Sequence, residues 1–293
     1  MKNILVPTDF SAQAHHAFEV ALQLAQRTGG NVTLLHVLES LGDNSANFSS
    51  YGGPVNGAEL PNSEGVPDGI FAIKLLEVTK QRMHALLAEA AQRAPGVAVH
   101  DAAGTADLDD AILRVVAERN IELVVMGTQE HDTMEQFFNS STTQRMVRLA
   151  PCPVLAVKHQ QAQFDVRNIV FPSDFTAETA NAASELQQIL ALFPEAVVHL
   201  LHIGSSHDQQ VLVHMQMFLQ QHSLPNATTH IFDASSTTTG IEQFAQKVQA
   251  DLIVLPTHAR SGLSRLFHSS IAENVASSAF PPVLTFHLHA QGS

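Results

Sequence analysis

Short apolar runs recur along the whole chain, each continuous rather than alternating and rich in Leu or β-branched residues. Runs of this kind are typical of strands that are buried on both faces of a parallel sheet. Between them, apolar positions follow the period of a helix. The pattern therefore predicts strands that alternate with helices throughout the chain.

The first helix has the clearest start and end. Ser11 is a good N-cap, and Gly29-Gly30 is a typical stop. Its predicted buried face contains Ala17, Phe18, Ala21, Leu22 and Ala25. A counterpart is predicted to follow Thr176 and to end before Pro194.

The chain contains an internal repeat, because four segments recur later in the same order. The pairs are ILVPTDFS at 4–11 with IVFPSDFT at 169–176, VTLLHV at 32–37 with VHLLHI at 198–203, ELVVMGT at 122–128 with DLIVLPT at 251–257, and APCPVLAV at 150–157 with AFPPVLTF at 279–286. Each copy predicts five strands joined by four helices, with right-handed crossovers. The expected fold is α/β, with two tandem doubly wound parallel-sheet domains.

The predicted first domain spans 1–158, a linker spans 159–166, and the second domain spans 167–289. The first copy contains an insertion at about 40–68 that is rich in Gly, Asn, Ser and Pro. Such a segment is either a surface loop without chemistry or a flap over a site or partner contact.

Composition and charge exclude several classes of function. The net charge is −13 and no long basic stripe exists, which argues against nucleic acid as a partner. No apolar run is long enough to span a membrane, and the first residues do not form a secretory signal. The one cysteine, Cys152, cannot form an internal disulfide. A cytoplasmic protein is expected.

The repeated PTDFS and PSDFT, LLHV and LLHI, and APCPVL segments resemble the universal stress protein family over nearly the whole chain. The resemblance implies an adenine-nucleotide alpha hydrolase-like fold. In members that bind ATP, a phosphate-binding motif follows the fourth strand. It consists of a Gly, two residues, a second Gly, nine residues, and then Gly-Ser or Gly-Thr. It also implies that Asp9 and Asp174 lie near an adenosine. Members pair through their last strands, so 153–158 and 282–287 are expected to pair within one chain or between two chains.

The first copy keeps the spacing of the phosphate loop but not its residues. Gly127 and Thr128 open it, Glu130 replaces the second glycine, and Ser140-Ser141 close it. Carboxylates in the intervening segment should repel a triphosphate. Gly127, Thr128, Ser140 and Ser141 are nevertheless the candidate ligand contacts of this copy.

The second copy departs differently, because Pro256 replaces the first glycine and offers no N–H. This loop is basic, and serines at the start of the next helix could hold an anion. Its candidate residues are Thr257, His258, Arg260, Arg265, Ser269 and Ser270. The arginines could equally form surface ion pairs. The charge contrast predicts that a phosphate ligand prefers the second copy.

Other candidate chemistry is sparse. Asp9 and Asp174 could cap their turns rather than contact a ligand, and His36 and His202 are expected to form local hydrogen bonds at strand ends. No metal site and no catalytic motif are predicted. The expected function is a non-catalytic role in stress response through association with partners, with the family's ATP binding lost or weakened. The alternative is a sensor of ATP, AMP or another phosphate ligand. Slow ATP hydrolysis is a weaker alternative.

Overall fold

A computed structural model describes residues 1–38, 68–104, 107–128, 140–205, 209–222, 224, 226–258 and 269–288. The predicted insertion at about 40–68 lies almost entirely outside these residues. Among the residues described, no helix is both long enough and apolar enough to cross a membrane.

The first half forms five strands and four helices in the predicted order. They are β1 (Asn3–Pro7), α1 (Ala12–Thr28), β2 (Asn31–Val37), α2 (Asp68–Arg93), β3 (Ala98–Gly104), α3 (Leu108–Glu118), β4 (Leu123–Gly127), α4 (Ser140–Leu149) and β5 (Val154–Val157).

The second half repeats this order with one change. Its elements are β6 (Asn168–Pro172), a 3-10 helix (Ala177–Ala182), α5 (Ala183–Leu192), β7 (Val197–Ile203), α6 (Gln209–His222), β8 (Ala227–Phe232), α7 (Thr237–Lys247), β9 (Leu252–His258), α8 (Ser269–Ser278) and β10 (Val283–Leu288). The helix expected to follow Thr176 therefore begins as a 3-10 helix and becomes α-helical only at Ala183.

All ten strands form one sheet in the order β3-β2-β1-β4-β5-β10-β9-β6-β7-β8. Every neighbouring pair is parallel except β5 and β10, which are antiparallel, with Leu155 opposite Leu284. The prediction of an α/β fold with two tandem doubly wound units is confirmed. Of the two pairings left open for the last strands, the structure has the one within a single chain.

Helices cover both faces of the sheet. Side chains of α1, α2, α5 and α6 contribute to one core cluster, and those of α3, α4, α7 and α8 to the other. Helix α1 begins and ends as predicted: Ser11 accepts a hydrogen bond from the Ala14 N–H, and Gly29 adopts a left-handed φ of 63°. Gly29 ends the helix there because glycine adopts this φ without a steric penalty.

Residues 159–166 connect β5 to β6 and pack along α1. The Phe164 N–H donates to Gln23 Oε1 at 2.6 Å, and the Phe164 ring contacts that of Phe193 with centroids 5.8 Å apart. Phe164 and Val166 are buried. The segment between the halves therefore contributes to the core.

Candidate functional site

The candidate site of each half lies at the topological switch point, where the order of the strands reverses. In the first half this point is between β1 and β4, and in the second it is between β6 and β9. Ligands of open α/β sheets bind outside the carboxyl ends of the strands at such a point.

The turn after β1 is held by its own side chains. Thr8 Oγ1 accepts a hydrogen bond from the Phe10 N–H at 3.0 Å, and Asp9 Oδ1 accepts one from the Ser11 N–H at 2.9 Å. Phe10 has a φ of 64°, which is uncommon for a residue other than glycine. Asp9 therefore has the capping role that the sequence allowed.

The turn after β6 uses the same design with more bonds. Ser173 Oγ accepts from the Phe175 N–H at 3.0 Å. Asp174 Oδ1 accepts from the Thr176 N–H at 3.2 Å, from the Thr176 hydroxyl at 3.1 Å and from the Thr179 hydroxyl at 3.2 Å. Phe175 has a φ of 52°. Asp174 is buried and engaged within the protein, whereas Asp9 is half-buried.

Histidines at the ends of β2 and β7 contact these turns, as predicted. His36 Nδ1 lies 2.8 Å from the Thr8 carbonyl oxygen, and His202 Nδ1 lies 3.1 Å from that of Ser173. A carbonyl only accepts, so each Nδ1 donates. Burial lowers the pKa of His36, against the hydrogen bond to Thr8, which raises it. His36 Nε2 is buried and has no hydrogen-bond partner among the described residues.

Gly127, at the end of β4, is required by packing. A Cβ at this position would lie 2.3 Å from the backbone carbon of Gln13 and 2.5 Å from the nitrogen of Ala14. The first turn of α1 therefore lies directly against the end of β4. This contact alone explains the glycine, so its presence is not evidence for phosphate binding.

The second half has Pro256 at the corresponding position. The 3-10 helix Ala177–Ala182 stands where the first turns of α1 stand in the first half. A Cβ at the position of Gly127 would meet the backbone of α1, and proline carries a Cβ and a ring, so we attribute the altered helix start to this difference.

Two buried threonine hydroxyls near the end of β4 have no hydrogen-bond partner among the residues described. They are Thr128 Oγ1 and Thr143 Oγ1, the latter in the first turn of α4. Buried hydroxyls are rarely left unsatisfied. In the second half, by contrast, Thr257 Oγ1 donates to the Phe286 carbonyl at 3.1 Å and contacts His287 Nδ1 at 2.7 Å.

Several predicted site residues fall outside the described part of the chain. Arg260 and Arg265 lie there, as does the acidic segment after Thr128 in the first half. The backbone places Ser140 at the start of α4 and Ser269 at the start of α8, and Ser270 is exposed. The side chains of Ser140, Ser141, His258 and Ser269 are among those not described. The predicted preference of a phosphate ligand for the second copy therefore stays a prediction.

Between α1 and α2 lies a charged cluster that was not predicted from the sequence. His15 Nε2 lies 2.9 Å from both oxygens of Glu89, and Arg93 contacts the buried Glu19 and, at 2.9 Å, Glu89. His15, Glu19 and Glu89 could together hold a cation, but the Arg93 guanidinium already supplies the positive charge. The four-residue spacings from His15 to Glu19 and from Glu89 to Arg93 were the only sequence signal.

A cavity of about 170 Å³ lies where the halves meet. Its lining comprises Met1, Glu122, Pro151, Cys152, Pro153, Glu185, Gln188, Phe286 and His287. Burial raises the pKa of the Cys152 thiol to about 11. The thiol is therefore protonated at neutral pH and a poor nucleophile.

Comparison with known proteins identifies the family. The model of the universal stress protein family matches residues 1–158 and again 165–287. The chain belongs to this family. A universal stress protein of Staphylococcus haemolyticus is 27% identical over 181 residues, covering 61% of this chain and 92% of the relative.

Solved universal stress proteins share the fold over nearly the full length. One from Archaeoglobus fulgidus aligns with a TM-score of 0.64 at 15% identity, covering 98% of each chain. One from Pseudomonas aeruginosa aligns with a TM-score of 0.61 at 19% identity, covering 98% of this chain and 93% of the other. At these identities the likeness concerns the fold alone.

Proposed function

We propose that this universal stress protein acts in stress response by associating with other proteins, without catalysis, and that the family's usual ATP binding is lost or weakened. The observation that carries the proposal is the contrast at the end of the fourth strand of each half. The backbone of α1 occupies the space beside Gly127, and Pro256 has no N–H to donate to a phosphate.

The pairing of β5 with β10 supports the same proposal. Family members are expected to pair through their last strands, and here those strands pair within one chain. We therefore propose a self-contained pseudo-dimer, with residues 1–158 and 167–289 as its two domains. Light scattering should give the mass of one chain, 31.6 kDa. A mass of twice that value would instead indicate a homodimer.

Exposed apolar side chains offer contact area to a protein partner. Ile73 and Leu76 on α2 are 58% and 53% exposed, and Val213 and Met217 on the corresponding α6 are 53% and 47% exposed. Exposed apolar clusters often mark protein interfaces. Proteins that cross-link to the unchanged chain in stressed cells should no longer cross-link to an I73E/L76E variant. They should still cross-link to Leu149→Glu, a control substitution at another exposed apolar residue.

Nucleotide content tests the loss of ATP binding. Mass spectrometry of the protein purified under native conditions should detect no bound nucleotide, and labelled ATP should not be turned over. A stoichiometric nucleotide would overturn the proposed loss, and turnover that follows the purified protein would overturn the non-catalytic role.

The second candidate function is sensing of ATP, AMP or another phosphate ligand. The sequence favours the second half through Arg260 and Arg265, whereas the hydroxyls of Thr128 and Thr143, which have no partner among the residues described, favour the first half. Titration of ATP into the Thr128→Val and Arg265→Ala variants separates them. Weaker binding in only one variant assigns the ligand to that half, and no binding by the unchanged protein rejects the sensor.

A further inference from the structure

Two histidines and a threonine on neighbouring strands converge near one edge of the sheet. His199 Nδ1, on β7, lies 3.2 Å from His230 Nε2, on β8. Thr228 Oγ1 lies 3.2 Å from the former and 2.9 Å from the latter. We propose that these three atoms form a binding site for a divalent transition-metal ion, Zn²⁺ in particular, with the imidazoles as the principal ligands.

The spacing of the two ring nitrogens suits a tetrahedral ion. Zinc binds imidazole nitrogen at about 2.0–2.1 Å, which places two such ligands about 3.3–3.4 Å apart in a tetrahedral arrangement. The observed 3.2 Å is close to this value. The same distance permits a hydrogen bond between the rings in the absence of metal, so the ion would replace a bridging proton with little movement.

Neighbouring groups orient both rings. His199 Nε2 lies 3.5 Å from Asn168 Oδ1, which favours a proton on Nε2 and leaves the Nδ1 lone pair facing His230. The buried Phe244 ring packs against both imidazoles, with centroids 6.2 Å from His199 and 4.9 Å from His230. Histidine ligands of metals commonly donate the N–H of their second ring nitrogen to a neighbour, as His199 does to Asn168, and this neighbour fixes the tautomer.

Burial favours the neutral form of both rings, which is the form that binds a metal. Burial lowers the pKa of His199, and burial followed by the charges of His199 and Lys247 lowers that of His230. From two neutral rings, binding needs only a shift of the His230 proton from Nε2 to Nδ1, without net proton release. Lys247 opposes a cation, but its ammonium lies over the Phe232 ring, 5.8 Å from the centroid.

Solvent reaches the site from the sheet edge. Strand β8 is the last strand of the sheet, Thr228 is exposed, and both histidines are half-buried. No cysteine or carboxylate among the described residues completes the set. Water must therefore supply the remaining coordination, and affinity should be lower than in a closed four-ligand site.

The corresponding strands of the first half lack the second imidazole. In the parallel pairing, His199 lies opposite Thr228, and Leu201 lies opposite His230. The equivalent pairs of the first half are Thr33 with His100 and Leu35 with Ala102. The proposed site thus belongs to the second half alone, and His100 provides an edge-strand histidine for comparison.

Calorimetric titration of the full chain with ZnCl₂ tests the proposal. The unchanged protein should bind one ion per chain at its strongest site, and His230→Gln should weaken that binding at least tenfold. His100→Gln should leave it unchanged. The proposal would be overturned if the unchanged protein did not bind Zn²⁺, or if His230→Gln bound Zn²⁺ as tightly as the unchanged protein does.

A second measurement covers the case in which His230→Gln does not fold. Substoichiometric Cu²⁺ should broaden the ring proton signals of His199 and His230 in the unchanged protein before those of other histidines. Earlier broadening of the His15 signal would place the strongest site at the His15, Glu19 and Glu89 cluster and overturn the assignment.

Discussion

The two halves share an element order and a sheet topology, but they differ where the first strand meets the fourth. In the first half a glycine lets α1 lie directly against β4, and two nearby buried hydroxyls have no partner in the described part of the chain. In the second half a proline stands there, the helix begins as a 3-10 helix, and the polar side chains of Ser173, Asp174 and Thr179 are hydrogen-bonded to one another. Equal folds therefore do not provide equal sites, and each half has to be tested separately.

Substitution of the glycine should have the largest effect on this comparison. Gly127→Ala places a Cβ against the backbone of α1, and we expect a loss of about 2–3 kcal/mol in the free energy of unfolding. Pro256→Ala should change stability by only about 1 kcal/mol or less. Urea denaturation measures both, and equal effects would contradict the assigned role of Gly127.

The two aspartates should differ next. Asp174→Ala removes three accepted hydrogen bonds from a buried turn, at an expected cost of about 2–3 kcal/mol. Asp9→Ala removes one such bond of a half-buried residue, at about 1 kcal/mol. Thermal unfolding of the two variants compares them, and a larger loss for Asp9→Ala would contradict the difference between the turns.

Thr128 and Thr257 occupy corresponding positions in the two halves, and their substitutions should change stability with opposite signs. Thr257→Val loses the hydrogen bonds to Phe286 and His287, which should cost about 1 kcal/mol. Thr128→Val replaces a buried hydroxyl that has no partner within the described ranges with a methyl group, which should stabilise the fold by up to about 1 kcal/mol. Destabilisation by Thr128→Val in denaturant titrations would show that this hydroxyl has a partner after all.

Acidification should have the smallest effect and act on both halves. Burial lowers the pKa values of His36 and His199, so the unfolded chain takes up protons more readily than the folded protein. The folded protein therefore has its full stability at pH values above the ordinary histidine pKa of 6.5, and its free energy of unfolding falls as the pH drops below that value. Melting temperatures should show a weaker pH dependence in His36→Asn than in the control His100→Gln.

Much of the fold follows from the sequence because its causes are local or repeated. The Ser11 cap, the stop at Gly29 and the repeated apolar runs are all visible without coordinates. The family resemblance also limits the last strands to two pairings, one of which the structure has.

The candidate site follows less well, because its causes are contacts between distant segments. Gly127 fits a phosphate-loop spacing, and only the position of α1 shows that packing requires it. The late start of α5 was likewise missed. His199 and His230 were not paired because each lies on a different strand, and their approach depends on the register of β7 with β8.

The antiparallel junction of β5 and β10 has an evolutionary consequence. In a symmetric homodimer every substitution appears twice, so a change that benefits one subunit at the cost of the other is not accessible. A single gene that encodes both halves, always produced in equal amounts and already joined, removes this restriction. The glycine of one half and the proline of the other are the kind of divergence that such a gene permits.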